Sequence, residues 1–247
     1  MSPDSTARHI TRTADTTFNP RPDTVRMDAL CFDMYGTLCD TSSVTTALRR
    51  ELDASAAHAA NIDATWRQRQ LEYAQQRSQM DDYATFRAVT ADALDYALDY
   101  HNESPSDQTH ARILDAYDTL DAFPDALDAL DDLRGRFDLA VLSNGNPEML
   151  ETLAANTGIE ERVSRILSAD AVSTFKPTPA VYEHAANELE KGLDECWLVS
   201  SNAWDVAGAA NAGMNTAWVN RDNDPEERVG GRATVEVNSL AALSDAL

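Results

Sequence analysis

Apolar residues recur along the chain in two rhythms, and the switches between them divide it. Residues 1 to about 26 are polar, rich in Thr, Asp, Arg and Pro, and carry neither rhythm, so they read as a mobile N-terminal extension. Order is expected from Met27. The run Ala29-Leu30-Cys31-Phe32 is short and apolar, ends in Asp33 and meets Gly36 soon after, the signature of a buried strand entering a tight turn. From Ser43 to about Leu120 the spacing is helical. Four stretches are expected, the first capped by Ser42 or Ser43. The second carries Trp66, Leu71 and Tyr73, and the third Tyr83, Phe86, Val89, Leu94 and Leu98. The fourth restarts after Ser104-Pro105-Ser106.

After Phe123-Pro124 strands and helices alternate. Helices at about 124–135, 147–157, 179–190 and 204–212 lead to strands at 139–142, 166–167, 196–199 and 216–219, and 235–247 adds an edge strand and a final helix. Such alternation predicts an α/β fold: a Rossmann-like parallel sheet with crossover helices. The expected organisation is a core of residues 27–42 and 121–247, with 43–120 inserted after the first strand as an all-helical cap.

In an open parallel sheet, ligands collect at the carboxyl ends of the strands. The first strand ends in Asp33-Met34-Tyr35-Gly36-Thr37, the next core strand in Ser143-Asn144-Gly145-Asn146. The third leads through Asp170 to Lys176-Pro177, and the fourth ends in Ser200-Ser201-Asn202-Ala203-Trp204-Asp205. A single polar strand end is commonly a helix cap. Four of them, offering carboxylates, hydroxyls, amides and one cation on the same edge, predict an active site.

This motif series resembles that of the haloacid dehalogenase superfamily, and within it the type II L-2-haloacid dehalogenases. Trp66-Arg67-Gln68-Arg69-Gln70-Leu71-Glu72-Tyr73, with Tyr83 and Phe86, resembles that family's cap. The resemblance runs from about Asp28 to the C-terminus. It implies cleavage of a short 2-haloalkanoate, of the L form, to a 2-hydroxyalkanoate and halide, with Asp33 as nucleophile, an aspartyl ester as intermediate and inversion at C2. It also implies a homodimer joined through the helical insert.

The roles it implies fall on matching positions. Arg67 would accept the departing halide, helped by Asn144 and Phe86. Ser143, with backbone N–H groups around Met34 and Tyr35, would bind the substrate carboxylate. Lys176 would keep Asp33 ionised. Thr37 and Ser200 would hydrogen-bond the nucleophile. Asn202 and Asp205 would position the hydrolytic water, with Asp205 the candidate to activate it. Tyr182 would orient Lys176 or Asp205, and Tyr35, Gln68, Leu71 and Trp204 would line the pocket.

Elementary chemistry separates this reading from its main rival, a phosphatase or another hydrolase of the same superfamily on a small metabolite. Phosphatases of the superfamily carry a second Asp two positions after the nucleophile, to protonate a departing alkoxide. That position is Tyr35, and halide leaves without a proton. They also carry paired acids on the fourth strand end for Mg²⁺. The first of that pair is Ser200, and hard cations want several charged oxygens. No metal and no cofactor is expected. A non-enzymatic binding module would have no need of the whole nucleophile–cation–amide set.

Composition adds the surroundings. The 247 residues include 42 acids, 28 of them Asp, against 18 Arg and only two lysines, Lys176 and Lys191, for a net charge of −22. The acids are spread over the predicted helices rather than clustered. They read as a solvated coat of the halophilic kind, and they exclude polyanionic partners such as nucleic acid and anionic membranes. No apolar run approaches a membrane span and no signal peptide is evident. Cys31, Cys39 and Cys196 lack metal spacing and read as free thiols in a reducing cytoplasm.

Overall fold

The computed structural model describes residues 28–247; the expected N-terminal extension, residues 1 to about 26, and the expected start of order at Met27 lie outside them. Strand β1 (Ala29–Phe32) is buried at every position, as a central parallel strand covered on both faces must be. The chain then forms a two-residue strand, β2 (Cys39–Asp40), and enters α1 (Ser42–Glu51), α2 (Ala56–Met80), α3 (Phe86–Tyr100) and α4 (Asp107–Leu114). It returns through β3 (Asp121–Ala122), which pairs antiparallel with β2. Departure and return are thus tied together at one point beside β1.

The remaining elements are α5 (Ala126–Leu133), β4 (Asp138–Ser143), α6 (Pro147–Thr157), β5 (Arg165–Ser168) and α7 (Pro179–Glu188). They are followed by β6 (Cys196–Ser200), α8 (Ala203–Ala212), β7 (Asn215–Val219), β8 (Val235–Val237) and α9 (Leu243–Ala246). The strands form a six-stranded sheet in the order β5-β4-β1-β6-β7-β8, every pair parallel. The chain builds outward from β1 on one side and then crosses to the other, so the carboxyl end of β1 sits where the strand order reverses.

Local chemistry sets the helix ends. The side chains of Ser55, Thr85 and Ser106 accept from His58 N, Ala88 N and Thr109 N, capping α2, α3 and α4. Helix α6 begins with Pro147 and stops at Gly158, whose positive φ of 74° suits a residue without Cβ. Two expectations are corrected. Helix α1 is not capped by Ser42 or Ser43: Asp40 Oδ1 accepts from Ser42 N at 2.8 Å, because β2 delivers that carboxylate to the helix start. Tyr83 precedes α3 rather than lying in it, because Thr85 caps the helix one residue before Phe86.

The helical segment is packed around Trp66, which is fully buried, donates from Nε1 to Thr90 O at 2.8 Å and stacks edge-on against Tyr117. It is hydrogen-bonded to the sheet across the strand ends. Ser78 Oγ accepts from Phe175 N at 3.2 Å, Asn146 Oδ1 accepts from Arg87 N at 3.1 Å, and the Tyr83 hydroxyl donates to Asp170 Oδ1. These bonds set the helices directly over the carboxyl end of β1. No described helix is long and apolar enough to cross a membrane.

Candidate active site

Asp33 follows β1 by one residue, and its backbone N–H still donates to Val199 O of β6 at 2.9 Å, so the sheet fixes its main chain. Asp33 is 6% exposed, and its carboxylate is gripped unevenly. Oδ2 accepts from Thr37 Oγ1 at 3.0 Å, Ser200 Oγ at 3.4 Å and Asn202 Nδ2 at 2.8 Å. Among the described residues, Oδ1 accepts from Lys176 Nζ alone, at 3.2 Å. The tight loop after β1 and the end of β6 are locked to each other: Thr37 Oγ1 accepts from Ser201 N at 2.9 Å, and Asn202 also donates to Tyr35 O at 3.2 Å.

Lys176 is 1% exposed and spans two carboxylates, reaching Asp205 Oδ2 at 2.8 Å as well as Asp33. Burial works against its ammonium, but the charges of Asp205 and Asp33 prevail and raise its pKa above the ordinary lysine value. Asp205 is fully buried; that burial raises its pKa, opposed by Lys176 and by the Tyr182 hydroxyl, which donates to Asp205 Oδ1 at 2.7 Å. Burial, reinforced by Asp205, lifts Tyr182 well above the usual phenol range, so it stays a donor.

A glycine holds this arrangement together. A Cβ on Gly208 would lie 2.4 Å from Pro177 Cβ and 2.8 Å from the Tyr182 hydroxyl. Gly208→Ala is therefore expected to push Tyr182 off Asp205, lower stability by about 1–3 kcal/mol and reduce turnover. Thermal unfolding and kcat check this; a variant as stable and active as the parent would show that α8 yields there.

Above Asp33 lies a cavity of about 200 Å³. Its lining includes Asp33, Tyr35, Arg67, Leu71, Phe86, Ser143, Asn144, Asn202 and Trp204, all expected from sequence. Tyr35 stacks on Phe86 with ring centroids 5.8 Å apart. Its hydroxyl is buried with no partner among the described residues, and burial raises its pKa well above the usual value, so it stays protonated. Asn144 Oδ1 accepts from Lys176 N at 2.8 Å, which leaves its amide donor for the cavity, and Ser143 Oγ accepts from Gly145 N at 3.3 Å.

Two expected residues are placed elsewhere. Gln68 is exposed and donates to Glu72 Oε1 at 2.8 Å, because it sits about 100° around α2 from Arg67. Gln70 and Ala74 lie on the correct face with Arg67 and Leu71, and they line the cavity instead. Met34, whose expected role is that of a backbone donor, has its side chain wholly buried, with its sulfur 3.5 Å from Cys39 Sγ. Asp205 lies behind Lys176 rather than on the cavity wall, because both of its oxygens are already taken. Sequence reasoning also missed Thr41 and Tyr117, which line the cavity, and Asp63, whose Oδ1 accepts from Arg67 Nε at 2.9 Å. Helical spacing signalled Gln70, Ala74 and the Asp63–Arg67 pair.

The position between Asp33 and Asp205, where a fold relative could seat a divalent cation, is spanned by the Lys176 ammonium, and Ser200 supplies no charge there. These residues do not fit Mg²⁺.

The family model described as haloacid dehalogenase-like hydrolase matches residues 27–213. The chain belongs to that family. It is 39% identical over 220 residues to (S)-2-haloacid dehalogenase 1 of Pseudomonas sp. (strain CBS-3), covering 89% of this chain and 96% of the relative. It is 38% identical over 216 residues to (S)-2-haloacid dehalogenase 4A of Burkholderia cepacia, covering 87% and 92%. Among solved structures it resembles the L-2-haloacid dehalogenase from Xanthobacter autotrophicus with chloropropionic acid covalently bound. The TM-score is 0.82 at 33% identity, covering 89% of this chain and 97% of that one. The parallel α/β sheet expected from the strand–helix alternation is present, and the family is the one that the motif resemblance implied.

Proposed function

We propose that this haloacid dehalogenase-like hydrolase cleaves the carbon–halogen bond of short (S)-2-haloalkanoates, giving 2-hydroxyalkanoates and halide. The observation that carries the reading is the Asp33 carboxylate on the wall of a small cavity, spanned to Asp205 by an ammonium and followed by Tyr35 instead of a second acid. Such a site has a nucleophile and no second carboxyl group beside it to protonate the group it displaces, which suits a leaving group that needs no proton.

The uneven grip on Asp33 divides the labour between its oxygens. Oδ1, with one donor, keeps a lone pair for attack on C2 from the side opposite the halogen. The C2–X bond breaks with inversion, X⁻ departs, and an ester joins Asp33 to C2. Oδ2, with three donors, becomes the ester carbonyl oxygen. Thr37, Ser200 and Asn202 already surround it, so they stabilise the negative charge it takes up when water adds to the carbonyl carbon. Ester formation removes the charge on Asp33 and leaves Lys176 facing Asp205 alone. Asp205, whose proton affinity burial raises, takes the proton of that water by way of Lys176, whose ammonium passes one proton to Asp205 Oδ2 and receives one from the water. The acyl C–O bond breaks, the departing oxygen (the former Oδ1) takes the proton back through the Lys176 ammonium beside it, the 2-hydroxy acid leaves, and the carboxylate is restored.

Substrate placement follows from the lining. Ser143 and the backbone N–H groups after Asp33 offer donors to the substrate carboxylate, while Asn144, Phe86 and Arg67 face the halogen. Leu71 and Trp204 give the short alkyl chain an apolar wall. The volume of about 200 Å³ limits that chain to a few carbons. The enzyme works, on this reading, as a salt-adapted homodimer in a reducing cytoplasm; its three cysteines are free and buried.

Halide release from each enantiomer of 2-chloropropionate, with EDTA present, tests the reading. The (S) form should turn over; activity on the (R) form alone, or strict Mg²⁺ dependence, would sink it. The charge of −22 adds a second expectation, because substrate and protein are both anionic. Near about 1 M salt the screening length falls to about 3 Å. KM should therefore decrease and thermal stability should increase as sodium sulfate is raised. A KM that climbs steadily with salt would contradict the solvent reading of the acidic coat.

A further inference from the structure

Arg67 is less free than a halide acceptor would be expected to be. Asp63 and Arg67 lie one turn apart on α2 and meet at 2.9 Å through Nε and Oδ1. The outer edge of the guanidinium donates to Thr41, with Nη1 to Oγ1 and Nη2 to the carbonyl oxygen, the latter at 2.5 Å. Asp63 is 8% exposed, and its second oxygen accepts from Thr45 Oγ1 of α1 at 2.7 Å. An ordinary pair on a helix surface would have a solvated carboxylate. This one is held from a second helix, against an arginine that lines the substrate cavity.

Arg67 also forms part of the wall between that cavity and an outer cleft of about 580 Å³. The outer cleft carries Asp40, Asp63, Asp222 and Asp224, against Arg67 and Arg221. An anion approaching from that side meets more negative than positive charge.

We propose that Asp63 is a positioning residue that sets the halide affinity of the site, neutralising Arg67 in the resting enzyme so that free chloride is held weakly. The inference rests on the dehalogenase reading, in which Arg67 faces the departing halide. A carboxylate at hydrogen-bond distance offsets part of a guanidinium's attraction for an ion in contact with it, and most of its attraction for an ion farther away than the pair's own separation. Chloride from solution gains little by entering. Halide formed at C2 is delivered into contact by bond cleavage and needs only a directed N–H. An enzyme that releases halide in strong brine gains from that asymmetry, because a bare arginine would be occupied by product ion throughout.

The test uses bromide as the probe. Its affinity is measured by calorimetry without substrate, and its inhibition constant during 2-chloropropionate turnover, with ionic strength held constant by sulfate. Asp63→Asn and Asp63→Ser should bind bromide about five- to tenfold more tightly than the parent, with product inhibition tightening in step. Asp63→Glu, which keeps the charge, should stay near the parent. The parent itself should turn over as well in about 1 M sodium chloride as in sulfate of equal ionic strength. Unchanged or weaker bromide binding in the Asn and Ser variants overturns the inference. So does strong chloride-specific inhibition of the parent, a result that needs no variant to fold. The two readings fail separately. A parent inert toward every 2-haloacid ends the dehalogenase reading, even where loss of Asp63 strengthens bromide binding. A parent active on haloacids with bromide affinity indifferent to Asp63 ends only this inference.

Discussion

Asp33→Asn should abolish dehalogenation, with kcat falling at least about 10⁴-fold, while the protein stays folded. The reason lies in the two ends of the side chain. An amide oxygen can still accept from Thr37, Ser200 and Asn202, so the network over Oδ2 survives. Lys176 retains Asp205 at 2.8 Å as a counter-ion, so no charge is left unpaired. What disappears is the nucleophile. Thermal unfolding within a few degrees of the parent, together with loss of halide release, is the expected pair of results. Turnover near the parent level would mean that the attacking group is another residue.

Lys176→Met should damage both folding and catalysis. It leaves Asp33 and Asp205 facing each other without the cation between them, in surroundings that are nearly dry. Removing one partner of a buried ionic cluster costs about 3–5 kcal/mol. One carboxyl escapes the repulsion by taking a proton. If Asp33 takes it, attack on C2 stops; if Asp205 takes it, the water loses its base. Either outcome predicts a fall in kcat of about 10³-fold or more, larger at low pH, where the extra proton binds more readily. Lys176→Arg should rescue little, because a planar fork does not reproduce a compact ammonium between two carboxylates. Chemical denaturation and a kcat–pH profile measure both parts. A stable variant with a parent-like profile would remove Lys176 from the mechanism.

How much of this was legible in the sequence depended on the range of the interaction involved. Helix α6 is found at Pro147–Thr157, where the spacing put it, because Pro147 and Gly158 mark its ends locally. The strands β1, β4 and β6 are equally local: uninterrupted apolar runs that end in polar residues. The pairing of β2 with β3 was invisible, since two residues carry no period and the contact joins positions 39 and 122. In the site, the nucleophile and its donors were readable because each stands at a strand end. Gln68 was misplaced because a linear motif hides which face of α2 a residue occupies, although helical geometry separates it from Arg67 and selects Gln70. Asp205 was expected at the water and is found behind Lys176, because the chain order does not reveal which carboxylate oxygens Tyr182 and Lys176 occupy. The tether of Arg67 to Thr41 depends on how α2 packs over the loop after β2, a distance that no spacing encodes.

The acidic composition also gained content from the structure. Much of the arginine is spent locally: Arg87 spans Asp115 and Asp118, Arg77 spans Asp82 and Asp92, and Arg221 grips Asp125. The buried cation between Asp33 and Asp205 is one of the chain's two lysines. An ammonium on a flexible stem fits where a guanidinium would not.

The ester on Asp33 is best tested by a single turnover in ¹⁸O-labelled water with enzyme in excess over (S)-2-chloropropionate, followed by mass analysis of the product and of the peptide bearing Asp33. Water attacking the Asp33 carbonyl carbon places one ¹⁸O in that carboxyl group, and the first 2-hydroxypropionate carries unlabelled oxygen taken from Asp33. Label in the hydroxyl of the product, with none in the peptide, would mean that water attacks C2 directly and that no ester forms.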